Sequence, residues 1–200
     1  MCSYVVRFDS GLAPNPFLDY CTLAVCTPNH MGIRVKEGDW IIGSTIKRRG
    51  NKLLFAMEIS EKLEFDNYYI DKRFENKRPV KGSINIKRMG DNMYYKDNSD
   101  NWRQHPTDYH DTKHDQIKDL KHPFVFVGEN FYYFGKNAVE FPIRFRELIR
   151  TTQGCKSNFS LSTVTSFVKW LSDNFETGIH GEPYDKNYQT NKNFIGINEL

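Results

Sequence analysis

Residues 38–60 constrain the fold most, because they set two β-forming runs on either side of a turn. Gly38-Asp39 is a turn signal, and Trp40-Ile-Ile-Gly-Ser-Thr45 reads as a buried strand. Arg49-Gly50-Asn51 reads as the hairpin connection and Leu53 to Ile59 as the partner strand. Earlier strands are expected over Ser3 to Phe8 and over residues 20–26, and later ones over Phe124–Val127 and Phe131–Phe134. Between the first two, Asp9 to Phe17 holds Gly11, Pro14 and Pro16, which predicts a loop with fixed turns. Phe65, Tyr68, Tyr69 and Phe74 fit a short helix within residues 61–76.

Helical periodicity gathers near the end of the chain. Phe141, Phe145, Leu148 and Ile149 recur at helical spacing behind Pro142, with Gly154 as a stop. Val164, Phe167, Val168, Leu171 and Phe175 form a second stripe, which Ser160 or Ser162 can cap. Strands first and helices last predict an α+β fold: a small, curved, barrel-like mixed sheet, with helices concentrated in the C-terminal quarter. One domain is expected over residues 1–185, with a long polar, surface-exposed insertion over 80–123 and a polar tail over 186–200.

Composition narrows the function classes. At 38% hydrophobic and 14% aromatic, 200 residues suffice for one core. A net charge of +3 argues against a polybasic nucleic-acid binder, though a local basic groove remains open. No apolar run has the length to cross a bilayer, and the start of the chain, with Arg7, lacks the apolar stretch of a signal peptide. A cytoplasmic protein without membrane contact is expected, with Cys2, Cys21, Cys26 and Cys155 as reduced thiols.

Several motifs carry groups suited to binding or proton transfer. Arg7 and Asp9 flank the end of the first strand, and Asn15 lies between two prolines. Its amide both donates and accepts, as base-edge recognition requires, and it equally suits an Asx turn. Trp40 can wall a stacking pocket or pack in the core. Gly90-Asp-Asn-Met-Tyr-Tyr95 joins a carboxylate, an amide and two flat rings, with Trp102 and Gln104 downstream. In Phe131-Tyr-Tyr-Phe134, alternation sends Tyr132 and Phe134 to one face and Phe131 and Tyr133 to the other, one face being core and the other free to line a pocket.

His110 and His114 have zinc-ligand spacing for one helix face. They lack the adjacent Glu of a zincin, and their surroundings read as a solvated charged segment. Cys21, Cys26 and His30 diverge if the segment is a strand, which favours buried thiols. No metal or cofactor is therefore assigned.

Four segments in order resemble the nucleotide-modification-associated domain 2 family of bacteria and phages. They are Tyr4-Val-Val-Arg-Phe-Asp-Ser-Gly-Leu-Ala-Pro-Asn-Pro-Phe17 with Cys21-Thr-Leu-Ala24, Gly38-Asp-Trp-Ile-Ile-Gly43, Gly90-Asp-Asn-Met-Tyr94, and Phe131-Tyr-Tyr-Phe-Gly135 with Pro142. Asp71, Phe74, Lys77 and Pro79 also fit the family's pattern, whereas Pro28 to Arg34 is less basic than the family's usual segment. The first 60 residues are similar in layout to the PUA, EVE and YTH readers of modified bases, a likeness of fold alone.

The resemblance implies a role around modified nucleotides or DNA, or in phage–host conflict and antiviral defence. The expected function is binding of a nucleotide or modified nucleobase in an aromatic-lined pocket. Trp40, Tyr94 and Tyr133 would stack, Asp9, Asn15 and Asn92 would read edges, and Arg7 would meet a phosphate. One alternative is an enzyme acting on nucleotides or modified bases, with Asp91 or His110 as acid/base. Another is a sponge or inhibitor that captures a signalling nucleotide. The expected partner is a nucleotide or modified nucleic acid, and a homodimer is possible.

Overall fold

The computed structural model describes residues 1–25 and 34–184. In chain order the elements are β1 (Cys2–Val6), β2 (Cys21–Leu23), β3 (Trp40–Thr45), β4 (Leu53–Glu58), β5 (Glu61–Glu64), α1 (Phe65–Ile70), β6 (Tyr94–Lys96), β7 (Trp102–Gln104), α2 (Lys113–Asp119), β8 (Phe124–Gly128), β9 (Phe131–Tyr133), α3 (Leu161–Asn174) and β10 (Gly178–Ile179). The chain is mixed α+β.

The expected β3–β4 hairpin is the centre of the larger sheet, antiparallel with Trp40 opposite Glu58. β1 lies parallel to β3, β9 antiparallel to β4, and β10 parallel to β9, in the order β1-β3-β4-β9-β10. A second sheet has the order β2-β8-β5, and β6 pairs with β7. Neither sheet closes on itself, so the barrel-like closure expected from residues 38–60 does not form among the described residues. The reason is that β8 and β9, though adjacent in sequence, enter different sheets.

Strand alternation then builds layers. On one face of the large sheet Tyr4, Ile41, Phe55 and Tyr133 pack with Cys21, Leu23 and Phe126 of the second sheet. On its other face Trp40, Ile42, Tyr132 and Phe134 pack against Phe145, Leu148, Phe167 and Leu171. Both faces of Phe131–Phe134 are therefore core. The outer face of the second sheet, Val125 and Val127, carries Phe65, Tyr68, Phe74, Met93 and Tyr94. A sheet covered on both sides explains why β3 is buried at all six positions, rather than alternately.

Ser160 caps α3 through Thr163 N (3.1 Å), and Phe167 and Leu171 face inward at i,i+4. The helix expected after Pro142 is instead a 3-10 helix, Ile143–Leu148. Its buried pair, Phe145 and Leu148, stands three residues apart, which matches three residues per turn. Helices are not confined to the C-terminal quarter, because α1 and α2 precede it. The short helix expected within residues 61–76 is α1, whereas the polar run of α2 gave no apolar stripe to reveal it.

Two further expectations change. Cys2 and Cys155 form a disulfide with Cα atoms 5.8 Å apart, not reduced thiols. Ser3 and Lys156 exchange backbone hydrogen bonds (2.8 Å each), which brings the neighbouring cysteines together from 153 residues apart. Cys21 is a buried free thiol, and Cys26 and His30 lie outside the described residues. Within the segment expected on the surface, Met89, Asp91, Asn92, Met93 and Tyr94 are buried. No helix among the described residues is long and apolar enough to cross a membrane.

Candidate functional site

Of the nine nominated side chains, Asp9, Asn15, Trp40, Asp91, Asn92, Tyr94 and Tyr133 are buried. His110 is half-buried and Arg7 is exposed. The buried polar ones fall into three hydrogen-bonded networks.

The first joins Asn15, Lys77, Asp91 and Asn92, residues far apart in sequence. A Cβ on Gly90 would overlap the backbone of Lys77, Arg78 and Pro79, so only glycine lets these two segments touch. That contact sets Asn92 N on Lys77 O (3.1 Å) and brings Asp91 inside. Asp91 accepts from Thr22 Oγ1 (2.6 Å) and Tyr68 OH (2.7 Å). Lys77 Nζ donates to Asn15 O (3.1 Å), Asn15 Oδ1 (2.8 Å) and Tyr20 O (2.9 Å), which uses all three ammonium protons. Asn15 Nδ2 donates to Met89 O (2.8 Å), and Asn92 Nδ2 to Phe74 O (3.0 Å). Burial pushes the Lys77 amine down to about 8 and raises the Asp91 carboxyl, while each charge favours the other.

The second network is Asp9 with Tyr133 OH (2.7 Å) and Tyr184 N (3.2 Å). Burial pushes the Asp9 carboxyl up to about 6, against these donors. In the third, buried Asp119 accepts from Tyr94 OH (2.9 Å) and meets His110 Nδ1 at 2.6 Å. His110 sits in a left-handed turn (φ 52°) ahead of α2. It therefore does not share a helix face with His114, as the i,i+4 spacing had suggested. Trp40 stacks on Tyr132 with ring centroids 6.3 Å apart, inside the core.

A half-buried aromatic cluster lies beside these networks. Tyr69 of α1 stacks on Tyr95 of β6 (4.8 Å, 18°) and on His105 (5.7 Å, 27°), and Tyr95 lies 5.0 Å from His105. Tyr69 OH and His105 Nε2 are 3.2 Å apart, and the Arg78 guanidinium covers Tyr69 at 4.3 Å. Burial, then the charge of Arg78, lowers the His105 pKa, so its ring is neutral near pH 7. Each cation around the cluster has a carboxylate: Arg78 with Glu75, Arg103 with Asp97, and Lys96 with Asp66 and Asp100. Neither Tyr69 nor His105 was nominated. The available signal was strand alternation: with Tyr94 in the core, Tyr95 has to point outward.

These features define a layered α+β domain whose informative motifs meet in buried charge networks, with one aromatic stack at the surface. The family model described as nucleotide modification associated domain 2 matches residues 1–190, and the chain belongs to that family. No curated protein and no solved structure matches it. The family links the chain to nucleotide modification.

Proposed function

We propose that this domain binds a nucleotide or modified nucleobase through its aromatic stack, in nucleotide or DNA modification or in phage–host conflict. The observation that carries this reading is the half-buried Tyr69–Tyr95–His105 stack. It offers flat polar rings to a base, and base–aromatic stacking tolerates different bases. Family membership supports the ligand class. Asn15, Lys77, Asp91 and Asn92 act in this reading as the frame that holds α1 and β6 together. A sponge that captures a signalling nucleotide would use the same stack.

The test is titration and native mass spectrometry with mononucleotides, cyclic dinucleotides, NAD and short modified oligonucleotides. Tyr95→Ala should weaken the ligand found by about 5- to 150-fold, the worth of about 1–3 kcal/mol of stacking. Unchanged affinity in a folded Tyr95→Ala protein overturns the assignment.

A second reading, an enzyme, is favoured by the His110–Asp119 contact. A buried carboxylate on Nδ1 orients an imidazole for proton transfer at its other nitrogen. In this reading His110→Ala abolishes product formation while ligand binding persists. Recovery of chemically unchanged ligand from the wild-type protein removes it.

A further inference from the structure

The strongest unassigned feature lies beyond the C-terminal end of β1, on elements that do not contribute to the aromatic stack. A groove of about 220 Å³ is lined by Arg7, Lys47, Asn51, Thr151, Thr152 and Gln153, with Val5 and Ile46 as its apolar part. Local chemistry explains its shape. Lys47 lies on a 3-10 turn, Lys47–Arg49, that Gly50 ends in the left-handed region (φ 91°). Asn51 follows, also left-handed (φ 53°), so the β3–β4 connection folds back beside Arg7.

The opposite wall, residues 151–153, is held to the large sheet from both sides. Ser3 Oγ donates to Leu148 O, and Ser44 Oγ donates to Arg150 O (3.3 Å). On the far side come the Ser3–Lys156 backbone pair and the Cys2–Cys155 disulfide. The wall is therefore fixed before any ligand arrives, which lowers the ordering cost of binding.

Charge supplies the second observation. The lining has two cations, two amides, two hydroxyls and no carboxylate. Arg7 and Lys47 are exposed and have no ion pair among the described residues. Arg150, next to this wall, gives one guanidinium nitrogen to Gln153 O (3.1 Å), while its buried Nε has no partner. Unmatched cations with neutral donors around a concave site attract a compact anion rich in oxygen acceptors.

We propose that this groove is a phosphate site. Its ligand is a phosphate or pyrophosphate group, free or borne by a nucleotide, held by Arg7 and Lys47 with the Thr151–Gln153 wall. This inference does not rest on the nucleobase reading, since it needs no aromatic ring.

Inorganic pyrophosphate, titrated calorimetrically at low ionic strength, is the probe. Arg7→Ala and Lys47→Ala should each weaken it about fivefold, and the double variant about 25-fold. Arg48→Ala is the control, because Arg48 is exposed on the same turn but does not line the groove. Tyr95→Ala should leave pyrophosphate binding unchanged, which separates this site from the stack. Comparison with a nucleoside diphosphate and with the bare nucleoside then tells a nucleotide-borne phosphate from a free one. The proposal is overturned if the wild-type protein binds no pyrophosphate, or if Arg48→Ala weakens it as much as Arg7→Ala does.

Discussion

Lys77 and Lys47 carry the same ammonium group to opposite situations. Lys77 is buried, and its three protons meet three protein oxygens. Lys47 is exposed at the rim of a groove without a carboxylate. The first spends its charge on holding segments 15–22 and 77–92 together, and the second leaves its charge free for something outside the protein. A polar residue in an informative motif is thus as apt to be internal scaffolding as a ligand contact. Capacity for binding lies where charges and rings are left unmatched.

The comparison breaks most visibly in stability. Lys77→Met removes the ammonium beside Asp91 and leaves the Asn15 and Tyr20 oxygens short of a donor. Breaking a buried charge arrangement from one side costs about 3–5 kcal/mol, so chemical denaturation should show a loss of that order. Arg7→Ala and Lys47→Ala should stay within about 0.5 kcal/mol of wild type, as exposed substitutions do. Equal, small losses at Lys77 and Lys47 would erase the distinction.

The Asp9 network sharpens it through pH. The folded carboxyl titrates at about 6, against an ordinary value of 3.8. Between those values the folded chain keeps a proton that the unfolded chain has released, so stability falls as pH rises through this window and is flat above it. Asp9→Asn cannot titrate. From pH 4 to pH 7 the stability gap should therefore shift in the variant's favour by about 2.4 kcal/mol, because the unfolded carboxyl is already largely ionised at pH 4. A gap that does not change with pH would mean that Asp9 ionises freely. The smaller effects are in affinity: the loss at Tyr95 on base stacking, and the roughly fivefold losses at Arg7 and Lys47 on pyrophosphate.

Much of the strand content was legible because it rests on short-range rules. Trp40–Thr45 and the strand after Asn51 stand where β-forming residues and turn chemistry place them, and Ser160 caps α3 as its position predicts. The 3-10 helix after Pro142 was misjudged as α because Phe145 and Leu148 suit either period. Asn15, Asp91 and Asn92 were recognisable as unusual residues, yet their partners were not. Lys77 lies 62 residues from Asn15, and Tyr68 lies 23 from Asp91, and no local pattern encodes such pairings.

By itself, the sequence determined the family, the α+β class, the β3–β4 hairpin and the amphipathic α3, all consequences of local propensity, periodicity and motif. Only the tertiary structure decided which polar groups face inward. Burial depends on how layers stack: covering both faces of the large sheet sent Tyr133 and Trp40 into core, and one close contact at Gly90 sent Asp91 and Lys77 there too. The same packing left Tyr95, Arg7 and Lys47 at the surface. Desolvation, a property of the assembled fold rather than of any residue, is what turned one lysine into a strut and left the other free to bind.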